Sequence, residues 1–393
     1  MRSARPCGWS FATSFEPKME HGFSRRSLLR RLGAAAVGTT LGGPVASLAG
    51  CLPEGRLKRP FEMTPEARDD GWPVGTPADV GLDPSAVEAA YRRVFDEGQL
   101  PNIRSLLVAR HGILVAEAYI ADRGDLTRVA ALMSATKSVT STLAGIAIDR
   151  GELASLEVTV GDLFPDKTQD PGKRAIRLRD ALSMRAGIDF PNSDFSLEME
   201  YGDSDDSVAH ILSKPMAQEP GTVFKYTDAS AHLAGAMVQR AVGRTLDDYA
   251  REHLFAGIGV ERFEWLHHRD GLAYGAYGLF LAPRDFLRFG QAALRAKRHE
   301  AGALVSPAWI DVATSFQVKP NFDTSFDFGF LWWLVPDGTA FTASGHGGQF
   351  AYSVPALDLE VVVTADPNSN EDSVSVNVAD AKALADMLAS GAT

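Results

Sequence analysis

The sequence reads as an α+β protein (α/β in the broad sense), in which two groups of strands form one antiparallel sheet around an inserted helical block. Three observations predict this. Residues 105–119 hold two apolar runs on either side of Arg110-His111-Gly112, a hairpin signal. The middle of the chain carries apolar residues at helical spacing. From residue 328 to 364 short apolar and aromatic runs alternate with turn residues.

Each element has its own signal. Asp83-Pro84 caps and opens a helix to about residue 97. His111 falls in the hairpin turn and is expected in solvent. Residues 134–150 carry Val139, Leu143, Ile146 and Ile148, with Gly151 as the stop. Residues 178–184 form a short helix ended by Ala186-Gly187. Residues 228–242 form a longer one, with Leu233, Ala236, Met237 and Ala241 on one side. Residues 283–294 open on a proline. Residues 328–335 are expected as one strand and Pro336-Asp337-Gly338 as a turn. Further strands are expected at 339–344, 349–354 and 359–364, and a closing helix at 380–389.

Of 393 residues, 45% are hydrophobic and 23% charged, enough for a large core without disulfide or metal staples. The net charge of −11 argues against nucleic-acid binding, which needs clustered Lys and Arg. The acidity reads as a solvated surface.

Residues 1–50 read as an export signal. Ser24-Arg25-Arg26-Ser27-Leu28-Leu29-Arg30 resembles a twin-arginine signal. The apolar run over 32–50 is interrupted by Gly and Pro too often for a comfortable membrane span. It ends Leu48-Ala49-Gly50-Cys51, which resembles a bacterial lipobox and would make Cys51 a lipidated mature N-terminus. The alternative is a plain cleaved signal with a coincidental cysteine, and Met19 is a second candidate start. Removing 1–50, with seven Lys/Arg and two Asp/Glu, leaves 32 basic and 48 acidic residues, net −16. Only Cys7 and Cys51 exist, so the mature chain makes no internal disulfide. Residues 51–71 are polar and proline-containing, a tether, and 72–393 are the folded domain. The expected location is periplasmic or cell-surface, tethered to the membrane through Cys51.

The chemistry centres on Met133-Ser134-Ala135-Thr136-Lys137. Helix geometry puts positions i and i+3 on one face, so hydroxyl and amine can touch. The lysine must be neutral, or share its proton, to activate the serine. A serine at a helix start also lies beside unpaired N–H groups suited to an oxyanion. The plainer reading is that Ser134 merely caps the helix. Two further stretches weigh against it. Tyr226 stands two residues before Asp228, read as a helix N-cap, and can act as a second proton carrier. Ser344-Gly345-His346-Gly347-Gly348-Gln349 lets backbone approach a ligand closely, with the Gln349 N–H as second oxyanion donor.

Ser134-x-x-Lys137, then Tyr226-x-Asp228, then His346-Gly347-Gly348, in this order, resembles the serine hydrolases related to class C β-lactamases. That group includes penicillin-binding DD-peptidases, D-amino-acid peptidases, esterases and oligomer amide hydrolases. The resemblance covers roughly residues 72–390. It implies a β-lactamase/DD-peptidase-like fold, with a sheet flanked by helices, an all-helical lobe and a site in the cleft between. It implies that Ser134 forms an acyl-enzyme, with Lys137 and Tyr226 moving the proton. It makes the N–H groups of Ser134 and Gln349 the oxyanion hole. Asp228, His346, Gly347 and Gly348 would contact substrate, with His346 on the strand facing it. Two departures narrow the substrate. Histidine, a residue type largely neutral at pH 7, replaces the lysine that usually attracts a substrate carboxylate. Asp228 replaces the usual asparagine, and an ionised Asp cannot donate a hydrogen bond. It would also favour a charged Lys137. Both point to an ester or amide substrate that is neutral or cationic. The alternatives are a DD-peptidase or β-lactamase, and a non-catalytic binding lipoprotein on the same fold.

Other motifs are read as structural. His267-His268-Arg269-Asp270 is expected as a surface loop, with no metal and no cofactor. No Gly-x-Ser-x-Gly elbow, His-Glu-x-x-His or phosphate loop is present. Trp332-Trp333 reads as core plus one face, and Tyr201 as a residue at the cleft mouth.

Overall fold

The computed structural model describes residues 62–95, 102–120, 123–190, 204–322, 324–367 and 378–393. The signal, Cys51, residues 52–61 and Tyr201 lie outside them.

The hairpin is strand β1 (Ile103–Arg110) and β2 (Ile113–Tyr119). His111 and Gly112 both have positive φ, +54° and +72°, the pairing that matches the right-handed twist of the strands. His111 is exposed, and its Nδ1 lies 3.0 Å from Asp358 Oδ2. A small sheet orders β3 (Ala130–Ala131), β5 (Leu279–Leu281) and β4 (Glu264–Trp265). Strands of two or three residues are too short to leave a period in the sequence.

The main sheet continues with β6 (Asp327–Phe328), β7 (Trp333–Leu334), β8 (Phe341–Gly345), β9 (Gln349–Val354) and β10 (Leu359–Ala365). Its order is β2-β1-β10-β9-β8-β7-β6, antiparallel throughout. The two strand groups thus meet where β1 pairs β10, with Leu106 opposite Val363 and Val108 opposite Val361.

Five helices of twelve residues or more stand among the described residues: α1 (Pro84–Phe95), α2 (Thr136–Asp149), α3 (Asp228–Val242), α4 (Pro283–Lys297) and α5 (Val378–Ser390). Alternate strand residues face opposite layers. Leu106, Val108, Val361 and Val363 pack with Tyr91, Val94, Leu384 and Leu388 of α1 and α5. Leu107, Val362 and Ala351 join the larger core with Phe286 and Phe289 of α4. The helical block spans α2 to α3, which pack on each other, with short helices such as Leu178–Leu182 against α3. No described helix is long and apolar enough to cross a membrane.

One expected strand is broken. Residues 328–335 split into β6 and β7 because residues 329–332 turn inward. A β-carbon on Gly329 would come 2.1 Å from Ala313 O, and Leu331 takes a φ of +61°. The turn is held by Leu331 N–H donating to Leu182 O at 2.9 Å and by Ser138 Oγ donating to Leu331 O at 2.7 Å. Trp332 is core and Trp333 half-buried, as read from the sequence.

Candidate active site

Ser134 lies in a single 3-10 turn, Met133–Ala135, directly before α2. Its hydroxyl caps neither element, since neither helix start has a side-chain cap bond. That removes the plainer reading of this serine. Met133 has a φ of +49°, a left-handed conformation that costs a β-carbon-bearing residue of order 1–3 kcal/mol. The strained residue directly precedes Ser134, which is half-buried.

Lys137 is 2% exposed, and its Nζ donates three hydrogen bonds: to Ser134 Oγ at 2.9 Å, Asp228 Oδ1 at 2.6 Å and Ala276 O at 2.9 Å. Burial alone would push its pKa down. The Asp228 carboxylate, with Tyr226 beside it, outweighs burial and holds the pKa above the usual lysine value. The resting amine is therefore an ammonium paired with a carboxylate.

Asp228 is freed for this by its neighbour. Thr227, not Asp228, is the N-cap of α3, its side chain accepting from Ser230 N–H at 3.1 Å. The sequence reading of Asp228 as the cap is corrected. The first helical residue can turn its carboxylate to Lys137 because the threonine satisfies the helix end.

Lys137 Nζ lies 5.1 Å from the Tyr226 ring centroid. That ring stacks on Trp333 at 5.8 Å and meets Phe328 edge-on at 6.1 Å. An aromatic wall thus fixes the tyrosine beside the Ser134–Lys137 pair.

The third stretch forms the β8–β9 hairpin. Gly345 ends β8 and pairs with Gln349. His346 is exposed in the intervening turn, so its expected placement on a strand is corrected: the strand stops one residue earlier. Gly347 and Gly348 take φ of +82° and +110°, which a side chain would strain. The closest backbone approach is at Gly345. A β-carbon there would lie 2.1 Å from Leu132 O and 3.1 Å from Ala135 N, so the strand end abuts the Ser134 turn. The buried Gln349 amide grips Ala365, donating to its O at 2.8 Å and accepting from its N–H at 3.1 Å. Asn102 Nδ2 donates to Gly347 O.

Sequence reasoning missed Ala276, which acts through its carbonyl and so carries no residue-type signal. It also placed His267-His268-Arg269-Asp270 on a surface loop. His268 is instead buried and stacks on Tyr274 at 3.7 Å, because the segment folds against α3. Among the described residues no group of His, Cys, Asp and Glu could hold a metal. A cavity of about 640 Å³ opens elsewhere, between Trp72, Arg288 and Leu304, and none of the site residues lines it.

An antiparallel sheet flanked by helices, with the Ser-x-x-Lys turn opening a helix beside the end of β8, is the β-lactamase/transpeptidase-like arrangement. The chain belongs to the Beta-lactamase family, which matches residues 95–385. It is 25% identical over 307 residues to Penicillin-binding protein 4 of Amycolatopsis lactamdurans, covering 68% of this chain and 77% of that protein. A solved family VIII carboxylesterase superposes with a TM-score of 0.62 at 18% identity, over 78% of this chain and 96% of that one. A D-alanine carboxypeptidase from Burkholderia cenocepacia gives 0.56 at 18% identity, over 78% and 98%. Members of this fold family are serine hydrolases, with esterase, peptidase and amidase relatives.

Proposed function

We propose that this protein is an exported serine hydrolase that cleaves a small ester or amide through an acyl-enzyme on Ser134. The observation that carries the reading is the 2.9 Å contact between Lys137 Nζ and a Ser134 hydroxyl that caps nothing. The resting ammonium cannot accept a proton. The reactive form is the one in which the Lys137 ammonium has lost one proton to solvent and is a neutral amine. The Nζ lone pair then takes the Ser134 proton as Oγ bonds to the substrate carbonyl carbon. The N–H groups of Ser134 and Gln349 stabilise the oxyanion. Tyr226 relays the proton to the departing alkoxide or amine, and water then hydrolyses the acyl-serine by the reverse sequence. Gly347 and Gly348 leave room for substrate backbone or acyl chain. An exposed His346 in place of a lysine disfavours a carboxylate-bearing substrate.

Residues 1–50 are assigned as a twin-arginine signal and Cys51 as a lipid anchor that holds residues 72–393 at the periplasmic or cell-surface face through the 51–71 tether. The motifs in residues 24–30 and 48–51 support this.

A fluorophosphonate probe should label the wild type, and S134A should abolish labelling. Label that persists on S134A refutes the assignment. Turnover of p-nitrophenyl esters against amino-acid anilides then separates ester from amide chemistry, and absence of any turnover favours a binding lipoprotein. Similarity to a penicillin-binding protein favours one second reading, cell-wall peptide or β-lactam chemistry. A covalent adduct with fluorescent penicillin would support that reading.

A further inference from the structure

We infer that His232 is a positioning residue: it fixes the Ala276 carbonyl and, through it, aims the Lys137 nitrogen at Ser134. The inference rests on the serine-hydrolase reading above.

His232 is buried on α3, one turn beyond Asp228. Gly275 N–H donates to its Nδ1 at 3.2 Å. A backbone N–H can only donate, so Nδ1 is the acceptor and the neutral ring carries its proton on Nε2. Nε2 lies 2.9 Å from Ser207 Oγ, and Ser207 Oγ lies 2.6 Å from Asp270 Oδ2. The chain therefore runs one way: Gly275 to His232 to Ser207 to Asp270. Asp270 is anchored in turn by the N–H groups of Ser207 at 2.7 Å and Leu272 at 3.0 Å. Burial pushes the His232 pKa to about 4 against the opposing Asp270 and Asp228 carboxylates, which keeps the ring neutral at pH 7. The His268 and Tyr274 rings pack on it at 4.4 and 6.3 Å.

The Gly275–Ala276 peptide is clamped on its other sides as well. Thr140 Oγ1 donates to Gly275 O at 2.8 Å. A β-carbon on Gly275 would come 2.9 Å from Ala231 O and 3.0 Å from the His232 α-carbon, so only glycine sits this close to α3. The next carbonyl, Ala276 O, accepts from Lys137 Nζ. A neutral amine has two N–H bonds and one lone pair. With Asp228 and Ala276 taking the two N–H groups, the lone pair is left facing Ser134 Oγ. Without an acceptor at position 232, the buried Gly275 N–H is unpaired and this carbonyl loses its fixed place.

The test compares H232L with H232N, whose side-chain oxygen can still accept from Gly275 N–H. The substrate is p-nitrophenyl acetate, with rates taken per active site titrated by fluorophosphonate. Misplacing a catalytic group by about 1 Å costs about 100-fold, so H232L should lose roughly 10- to 100-fold in kcat with KM unchanged. Its acid limb of kcat against pH should move to lower pH, because the ammonium has lost an acceptor. H232N should recover most of both. A purely structural role would lower the active fraction or the Tm and leave the limb where it is. Wild-type kcat and limb in H232L overturn the inference. If H232L does not fold, S207A cuts the same chain at its outer end. A fall in its kcat at constant KM supports the inference, and an unchanged kcat overturns it. Wild type that takes no fluorophosphonate label refutes the hydrolase reading itself, whereas labelled wild type with an unresponsive H232L refutes only the positioning role.

Discussion

Lys137 Nζ lies closer to Asp228 Oδ1, at 2.6 Å, than to Ser134 Oγ, at 2.9 Å. The amine is held first by a carboxylate and only second by the nucleophile beside it. The group meant to accept a proton thus rests with its full complement. Activity should rise with pH as the pair loses a proton.

D228N tests this directly. Removing the carboxylate removes the leading influence that raises the Lys137 pKa, so the amine is freed at lower pH. The acid limb of kcat/KM on a p-nitrophenyl ester should move to lower pH by about one unit or more, each unit corresponding to about 1.4 kcal/mol. A limb that stays in place would mean that Asp228 does not control the amine. The same pair has a stability signature. A raised lysine pKa stabilises the fold at all pH values below its unfolded pKa of about 10.4. That contribution is lost as pH rises through the folded value. Wild type should therefore lose more stability than D228N on going from pH 9 to pH 12, measured by urea unfolding.

Gly345 should tolerate no side chain. In G345A the new methyl carbon would meet Leu132 O at 2.1 Å and must push β8 away from the Ser134 turn. An activity loss of about 100-fold or more is expected from such a displacement, with far-UV circular dichroism unchanged. G112A is the control. Nothing lies within 4 Å of its new carbon, so it should cost only the strain of a positive φ, of order 1–3 kcal/mol in stability, with kcat intact.

His346 is exposed, so H346K should leave stability within about 0.5 kcal/mol. It restores a fixed cation to the third motif. Acylation by fluorescent penicillin should rise at least about tenfold, the worth of roughly 1.4 kcal/mol from one charge-assisted contact. Turnover of a neutral ester should change little. Equal penicillin acylation in wild type and H346K would separate carboxylate recognition from this position.

Glu360 sits on β10 with no solvent exposure, its Oε2 accepting from Ser353 Oγ at 2.6 Å. Its Oε1 has no hydrogen-bond partner among the described residues and faces Gly290 of α4, where a β-carbon would come within 2.2 Å. Burial pushes its pKa to about 8. A carboxyl with a raised folded pKa stabilises fully only below its unfolded pKa, and that contribution falls away up to the folded one. The cost of keeping Glu360 neutral thus grows from about pH 4.5 to about pH 8. E360Q, which never ionises, should match wild type near pH 4. It should gain roughly 3 kcal/mol over it at pH 7, read from urea midpoints. Parallel pH profiles of the two proteins would contradict this assignment.

Much of the framework was legible because it rests on side-chain periodicity. The helix expected at 228–242 is α3 to the residue, and both strand groups were found and joined in one sheet. The Ser134–Lys137 contact followed from helix spacing alone. What escaped was carried by backbone or by distant packing. Ala276 enters through a carbonyl that any residue type would supply. Phe328 and Trp333 look like one strand until Ala313, brought close by the fold, forces Gly329 to turn. The burial of His268 depends on α3, which nothing near residue 268 in the chain announces. Thr227 and Asp228 are both good cap residues, and only the position of Lys137 decides which one caps.

The β1–β10 pairing, with Ile103 opposite Ala365, sets the order in which this protein can mature. The hairpin of β1 and β2 leaves the ribosome well before β10, the strand it pairs with. Such long-range contacts give high contact order and slow closure. Ser134 likewise emerges well before the Gly345 strand end that abuts its turn. A nascent or truncated chain ending before residue 341 would carry the Ser134–Lys137 segment without that strand end. On the serine-hydrolase reading it would be inert. Synthesis of that strand end would then act as the safeguard against hydrolysis at the site of synthesis.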